Sequence, residues 1–205
     1  MIDWSSLNIM TAVLAVIVGY LCGSVPFGLL LTKWAGLGDV RKIGSGNIGA
    51  TNVLRTGSKK IAALTLVLDA VKATIPVLVF REMGGEAAGL LAGFAALAGH
   101  LFPVWLNFKG GKGVATAIGL LFGIAWILGV AFLAIWLIVA FLFRTSSVSA
   151  LTASALTPLW AYLLGRSDLV IPLIILAVIV WLTHRANIGR LIAGNEPKID
   201  LGRKA

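Results

Sequence analysis

The sequence predicts an all-α, polytopic integral membrane protein, and three observations lead there. Of 205 residues, 59% are hydrophobic and only 12% charged, where a soluble domain carries about 25% charge. The mean hydropathy is +0.99. The apolar residues fall into six long stretches, Leu7–Thr32, Ile61–Phe80, Ala87–Leu106, Val114–Phe143, Val148–Leu164 and Leu169–Thr183. A bilayer core about 30 Å thick takes roughly 20 helical residues, so most stretches are long enough to span it and the last is short. These features exclude a disordered chain, a secreted disulfide scaffold and an ordinary cytosolic enzyme. The longest polar stretch is about 28 residues, so a single transmembrane domain over residues 1–205 is expected.

The first stretch is interrupted by Gly23-Ser24-Val25-Pro26-Phe27-Gly28, which predicts a kink or an unwound turn. Ser24 there either lines a site or packs between helices. Cys22, the single cysteine, cannot form an intramolecular disulfide and reads as a small packed hydrophobe. The second stretch contains Asp69 and Lys72, three apart and therefore able to pair on one helix face. Unpaired charges inside a span are costly, so both should face protein or a watery cavity, as a structural ion pair or as part of a site. His100 and Pro103 close the third stretch, with His100 expected to be a packed, hydrogen-bonded core residue. The fourth stretch would measure roughly 45 Å as one helix. It is expected to turn back near Gly123–Gly129, giving about seven transmembrane helices.

The charges support that count. Seven crossings place six basic residues at Lys33–Lys60, two at Asn107–Gly113, one at Arg144–Ser147 and five at His184–Ala205 on one side. Only Arg81 and Arg166 fall on the other side. The positive-inside rule then puts the N-terminus outside and the C-terminus in the cytoplasm. The first apolar run lacks a basic lead and a small-residue cleavage pattern, so no signal peptide is expected. Plentiful Ala, Gly and Ser in the spans allow close helix approach.

Three polar segments gather on the inner side. The first runs Gly44-Ser45-Gly46-Asn47-Ile48-Gly49-Ala50-Thr51-Asn52 and on to Arg55. Its glycines let backbone N–H groups converge on a phosphate, Ser45, Asn47, Thr51 and Asn52 add neutral donors, and Arg55 can bind phosphate bidentately. A helix starting near Asn47–Ala50 would add its dipole. The second is Gly110-Gly111-Lys112-Gly113-Val114-Ala115-Thr116, where flanking glycines let the Lys112 ammonium approach a ligand closely. It fails the P-loop pattern because position 106 is Leu and position 113 is Gly, which argues against nucleotide hydrolysis. In the third, His184, Asn187 and Arg190 are spaced by three, on one face if helical.

Several chemistries are excluded. Positions 105 and 189 are Trp and Gly, so neither histidine belongs to the H-x4-D arrangement of thioester-using acyltransferases. Two histidines and one cysteine give no metal-ligand spacing, and no nucleophile elbow G-x-S-x-G occurs. No cofactor, no metal and no nucleic acid partner is expected. An organic-phosphate transporter or a lipid-binding scaffold would also use basic loops. The one-sided clustering and ordered Ser/Asn/Thr/Gly content favour an enzyme.

In order and spacing, the three segments resemble the signature motifs of the bacterial acyl-phosphate-dependent glycerol-3-phosphate acyltransferases (the PlsY family). The resemblance covers essentially the whole chain. It implies transfer of an acyl group from acyl phosphate to the 1-hydroxyl of sn-glycerol 3-phosphate, giving lysophosphatidate and inorganic phosphate. It also implies the bacterial inner membrane, contact with membrane lipid and coupling to an enzyme that produces acyl phosphate. On this chemistry Ser45, Arg55, Lys112 and Asn187 hold phosphate and stabilise developing charge. Thr51, Asn52, Arg190 and His184 are candidates for the 3-phosphate of the acceptor. Gly44, Gly46, Asn47, Gly111, Gly113 and Thr116 are expected to bind substrate with them. Phosphate is already a good leaving group, so no covalent acyl-enzyme is expected. The hydroxyl proton goes to His184 or, as this reading prefers, to a substrate phosphate.

Overall fold

The computed structural model describes residues 1–199, and among them every regular element is helical. Arg203 and Lys204, counted above in the basic tail, lie outside the described residues. Contacts divide the chain into two compact units, one from Ile2 to Gly129 and one from Val130 onward that includes Met1.

In the first unit, α1 (Ile9–Ser24) starts at Asn8, whose side chain accepts the Met10 N–H. It ends where Val25 turns extended ahead of Pro26, and α2 (Phe27–Trp34) resumes directly. Proline disfavours helical geometry in the preceding residue, so the predicted interruption falls there. The short α3 (Ala50–Leu54) sits within the first polar segment. Helix α4 (Lys59–Leu101) runs 43 residues, broken by non-helical geometry at Gly84 and Gly85. After a loop through residue 113 comes α5 (Val114–Ile124).

Helix α1 packs chiefly on α4. A side chain at Gly23 would strike the Ala96 backbone, and one at Gly19 the Ala92 backbone. Four-residue spacing of small residues on both helices is what brings the backbones into direct contact. Ala15, Phe80, Ala88 and Ala92 form the core at that seam.

The connector expected at Arg81–Glu86 shrinks to the glycine pair. The helix continues through Arg81, whose guanidinium turns into the fold: Nη1 donates to Gly123 O at 2.6 Å. Gly123 lies in the last turn of α5, whose carbonyls lack intrahelical donors and favour a cation. The fourth apolar stretch breaks at Ala125, within the expected Gly123–Gly129 window. The resulting α5 is 11 residues long, about 16 Å and short of a bilayer core.

Helix α6 (Trp126–Phe143) follows at once. In the second unit α7 (Ser146–Leu163) packs on α8 (Val170–Thr183), with Trp181 Nε1 donating to Leu151 O. The turn between them is closed by Arg166 on Asp168. After α8 the chain bends by 62° into α9 (Arg185–Ile192). By length and composition Ile9–Trp34, Lys59–Leu106 and Trp126–Phe143 can each cross a membrane, with the bent α8–α9 pair as a fourth.

Candidate active site

The first polar loop is organised by Asn52. The residue is 2% exposed, and the two hydrogens of its Nδ2 are shared among the carbonyls of Val40 (2.9 Å), Ile43 (3.0 Å) and Asn47 (2.8 Å). Its Oδ1 accepts from Ser45 N and Arg55 Nη1, both at 3.1 Å. The amide's donors and acceptor are therefore spent on the loop itself. Gly44 and Gly46 take left-handed φ of 54° and 70°, which lets the chain wrap this amide. Gly44 also lies under Arg55, since a side chain there would meet Arg55 Cδ and Nη1. Asn47 Oδ1 accepts the Gly49 N–H at 2.7 Å, just before α3 begins at Ala50. That start lies at the edge of the expected window. Beside the loop, the Arg41 guanidinium holds the Asp39 carboxyl well below the usual carboxylate range.

Beneath the loop, Leu29, Val40, Ile48, Val53 and Ala62 form a buried apolar floor. Leu106 of the second loop packs against the same floor. Ser45 and Arg55 are exposed above it, Thr51 is half-buried, and Lys112 is half-buried in the second loop. The first two motifs thus share one end of this unit.

The second loop folds back on the end of α4. Gly110 N donates to Leu101 O (3.1 Å) and Gly111 N to His100 O (3.0 Å). A Cβ at Gly111 would run into the His100 imidazole. Gly113, with φ 82°, caps α5 without a side-chain hydrogen bond. Among the described residues, the Thr116 hydroxyl in the first turn of α5 is fully buried and has no hydrogen-bond partner. Asp69 and Lys72 do pair, at 2.7 Å, and His100 is buried and hydrogen-bonded as expected. Ser24 accepts from Trp105 Nε1 at 2.8 Å, which is the packing role.

The third motif lies in the second unit. His184 stands at the N-cap of α9 rather than within the helix, while Asn187 and Arg190 lie on it. His184 Nδ1 donates to Val180 O at 2.7 Å, since a carbonyl can only accept. That bond requires a hydrogen on Nδ1. Asn187 and Arg190 converge on Glu196, through Oε1 and Oε2 respectively, and Ser147 of α7 also donates to Oε1. Neither Glu196 nor Ser147 was among the site residues read from sequence. A lone glutamate following the basic α9 was the available signal for the first. For Ser147 there was none, because its partner lies 49 positions away.

Burial pushes the Glu196 pKa up, but the bonds from Asn187, Ser147 and Arg190 outweigh it and leave the carboxyl below its ordinary value near 4.5. A folded pKa below the unfolded one stabilises above that ordinary value and is lost as pH falls through the lower, folded one. Glu196→Gln therefore lowers the melting temperature at neutral pH, by an amount reflecting about 1.5–3 kcal/mol for hydrogen bonds to a charged group. The gap from wild type narrows on acidification. A gap that is constant from neutral to strongly acidic pH contradicts this.

An all-helical membrane protein with glycine-rich polar loops placed ahead of helix starts is the class that fold and loops define. A family model described as glycerol-3-phosphate acyltransferase matches residues 13–194. A glycerol-3-phosphate acyltransferase of Mesorhizobium japonicum is 58% identical over 187 residues, 91% of this chain and 95% of the relative. One from Agrobacterium fabrum is 57% identical over 197 residues, 96% of each. The crystal structure of PlsY (YgiH), an integral membrane glycerol 3-phosphate acyltransferase, in its glycerol 3-phosphate form matches with a TM-score of 0.87. Identity is 35%, covering 92% of this chain and 96% of that one. Its lysophosphatidic acid form gives 0.85 at 35% identity, over 91% and 94%. The chain belongs to the glycerol-3-phosphate acyltransferase family. It is an integral membrane acyltransferase of phospholipid biosynthesis.

Proposed function

We propose that this acyltransferase draws its acyl group from acyl phosphate and delivers it to the 1-hydroxyl of sn-glycerol 3-phosphate. The products are lysophosphatidate and inorganic phosphate. The observation that carries this reading is the character of the two loops in the first unit. Neither residues 43–55 nor 107–116 contain a carboxylate, and both present donors on a backbone set by internal hydrogen bonds. Such loops suit two phosphates better than a thioester donor, which the missing H-x4-D arrangement also disfavours.

The acceptor hydroxyl oxygen attacks the acyl carbon, and the bond from that carbon to the phosphate oxygen breaks. Phosphate leaves with the electron pair, and the hydroxyl proton passes to a substrate phosphate. No acyl-enzyme forms. Ser45, Arg55 and Lys112 hold phosphate and offset charge on the transferring group. Asn187 is assigned the same work by its motif. Thr116 offers its unpaired hydroxyl, together with the N–H groups opening α5, to an anion. Thr51, Arg190 and His184 are assigned to the acceptor. Asn52, its amide spent within the loop, serves by shaping it. His184 is the alternative proton acceptor.

The proposed topology has about seven helical passes, the short α5 counted among them, with the N-terminus outside and the loops at the cytoplasmic face of the bacterial inner membrane. An enzyme producing acyl phosphate is then its functional partner. The donor assignment is tested by offering purified protein glycerol 3-phosphate with either palmitoyl phosphate or palmitoyl coenzyme A. Lysophosphatidate is expected from the phosphate alone; formation from the thioester at a comparable rate overturns the donor assignment.

A further inference from the structure

The groups that hold the second loop lie outside all three motifs. At the α1–α2 break the Val25 carbonyl accepts from Phe27 N (3.1 Å) and from Lys72 Nζ (2.8 Å). The same ammonium donates to Asp69 Oδ1 (2.7 Å) and lies 2.9 Å from His100 Nδ1. Three hydrogens meet three acceptors, which is the full capacity of an ammonium. The Phe27 ring lies 5.8 Å from Nζ. Side-chain exposure is 3% for Lys72, 2% for Asp69 and 3% for His100.

A buried ion pair kept only for stability is a poor device, because apolar residues of similar volume often do as well. Here the charges reach two separate parts of the chain. Val25 belongs to the break in the first membrane stretch, and His100 stands where α4 gives way to the second loop. With Nδ1 accepting from Lys72, the imidazole carries its hydrogen on Nε2. That edge faces Gly111, where even a methyl group would collide with the ring. The backbone of His100 and Leu101 takes the N–H groups of Gly111 and Gly110. Ring and backbone together leave the turn before Lys112 one place to sit.

We propose that Asp69, Lys72 and His100 are positioning residues, a buried cluster that locks the His100 ring against Gly111 and so aims Lys112. The effect on catalysis rests on the assignment of Lys112 to phosphate, whereas the effect on the loop does not. A misplacement of the order of 1 Å costs about 100-fold in rate. His100→Leu fills similar space but offers Lys72 no acceptor. His100→Asn puts an amide oxygen close to where Nδ1 was.

The test compares both variants with wild type in detergent micelles, by steady-state kinetics and by amide hydrogen exchange without substrate. Faster exchange at residues 110–113 is expected for His100→Leu, with α7 and α8 unchanged. Its kcat should fall about 100-fold, with the KM for glycerol 3-phosphate little altered. His100→Asn should recover most of both losses. If His100→Leu does not fold, Asp69→Asn with Lys72→Met supplies the comparison, removing both charges and the donor to His100 together. Unchanged exchange at 110–113 in a folded variant overturns the proposal, as does near-wild-type kcat. Faster loop exchange with normal kcat leaves the cluster's hold on the loop standing and overturns the link to Lys112. Failure of wild type to use acyl phosphate overturns the donor assignment separately.

Discussion

Lys112→Met is expected to lower kcat/KM for acyl transfer by about 100- to 1,000-fold, the range seen when one preorganised charge-stabilising donor is removed. The loss should fall on kcat, because the charge on the transferring group develops in the transition state. The side chain is half-buried and its loop is held by backbone bonds from Gly110 and Gly111, so the fold should survive the change. A melting temperature close to wild type would show that. Lys112→Arg should recover little, because a planar guanidinium does not replace a point charge held between two glycines against the end of α4. Retention of wild-type kcat/KM by the methionine variant would remove Lys112 from the phosphate-holding set.

Asn52→Ala is expected to damage activity and stability together. The substitution strands the carbonyls of Val40, Ile43 and Asn47 and the N–H of Ser45, and frees Arg55 from its tether. Each buried group left unpaired costs roughly 1–3 kcal/mol, less where water reaches it. A drop of several degrees in melting temperature should accompany a loss of about 100-fold in kcat/KM, since Ser45 and Arg55 lose their geometry. Asn52→Asp keeps the two bonds accepted by Oδ1 but loses the Nδ2 hydrogens that three carbonyls share, so it should not rescue stability. If Asn52 instead bound substrate directly, alanine would raise the KM for glycerol 3-phosphate and leave the melting temperature unchanged.

The sequence announced features whose cause is local. Pro26 marks the break in the first stretch, glycines interleaved with Ser, Asn and Thr mark the first loop, and the length of Val114–Phe143 demands an interruption that comes at Ala125. Features whose cause is tertiary were hidden or misread. Arg81 looked like a loop charge and proves to cap the end of α5, 42 positions away. Asn52 looked like a substrate donor, yet its amide is consumed by partners within twelve residues. His184 looked like a member of one helix face and stands at its cap, because α8 ends there and the chain bends. Asp69 and Lys72 could be paired by spacing alone. That Lys72 also reaches Val25 and His100 depended on how α1 packs on α4, which no local pattern encodes.

Direct transfer between two phosphate-bearing substrates proceeds without an acyl-enzyme in the proposed mechanism. The measurement closest to it is release of inorganic phosphate from palmitoyl phosphate by purified protein, with and without sn-glycerol 3-phosphate. Phosphate should appear only when glycerol 3-phosphate is present, one for each lysophosphatidate formed. A burst of phosphate equal to the enzyme without acceptor, with acyl groups trapped on the protein by hydroxylamine, would contradict it.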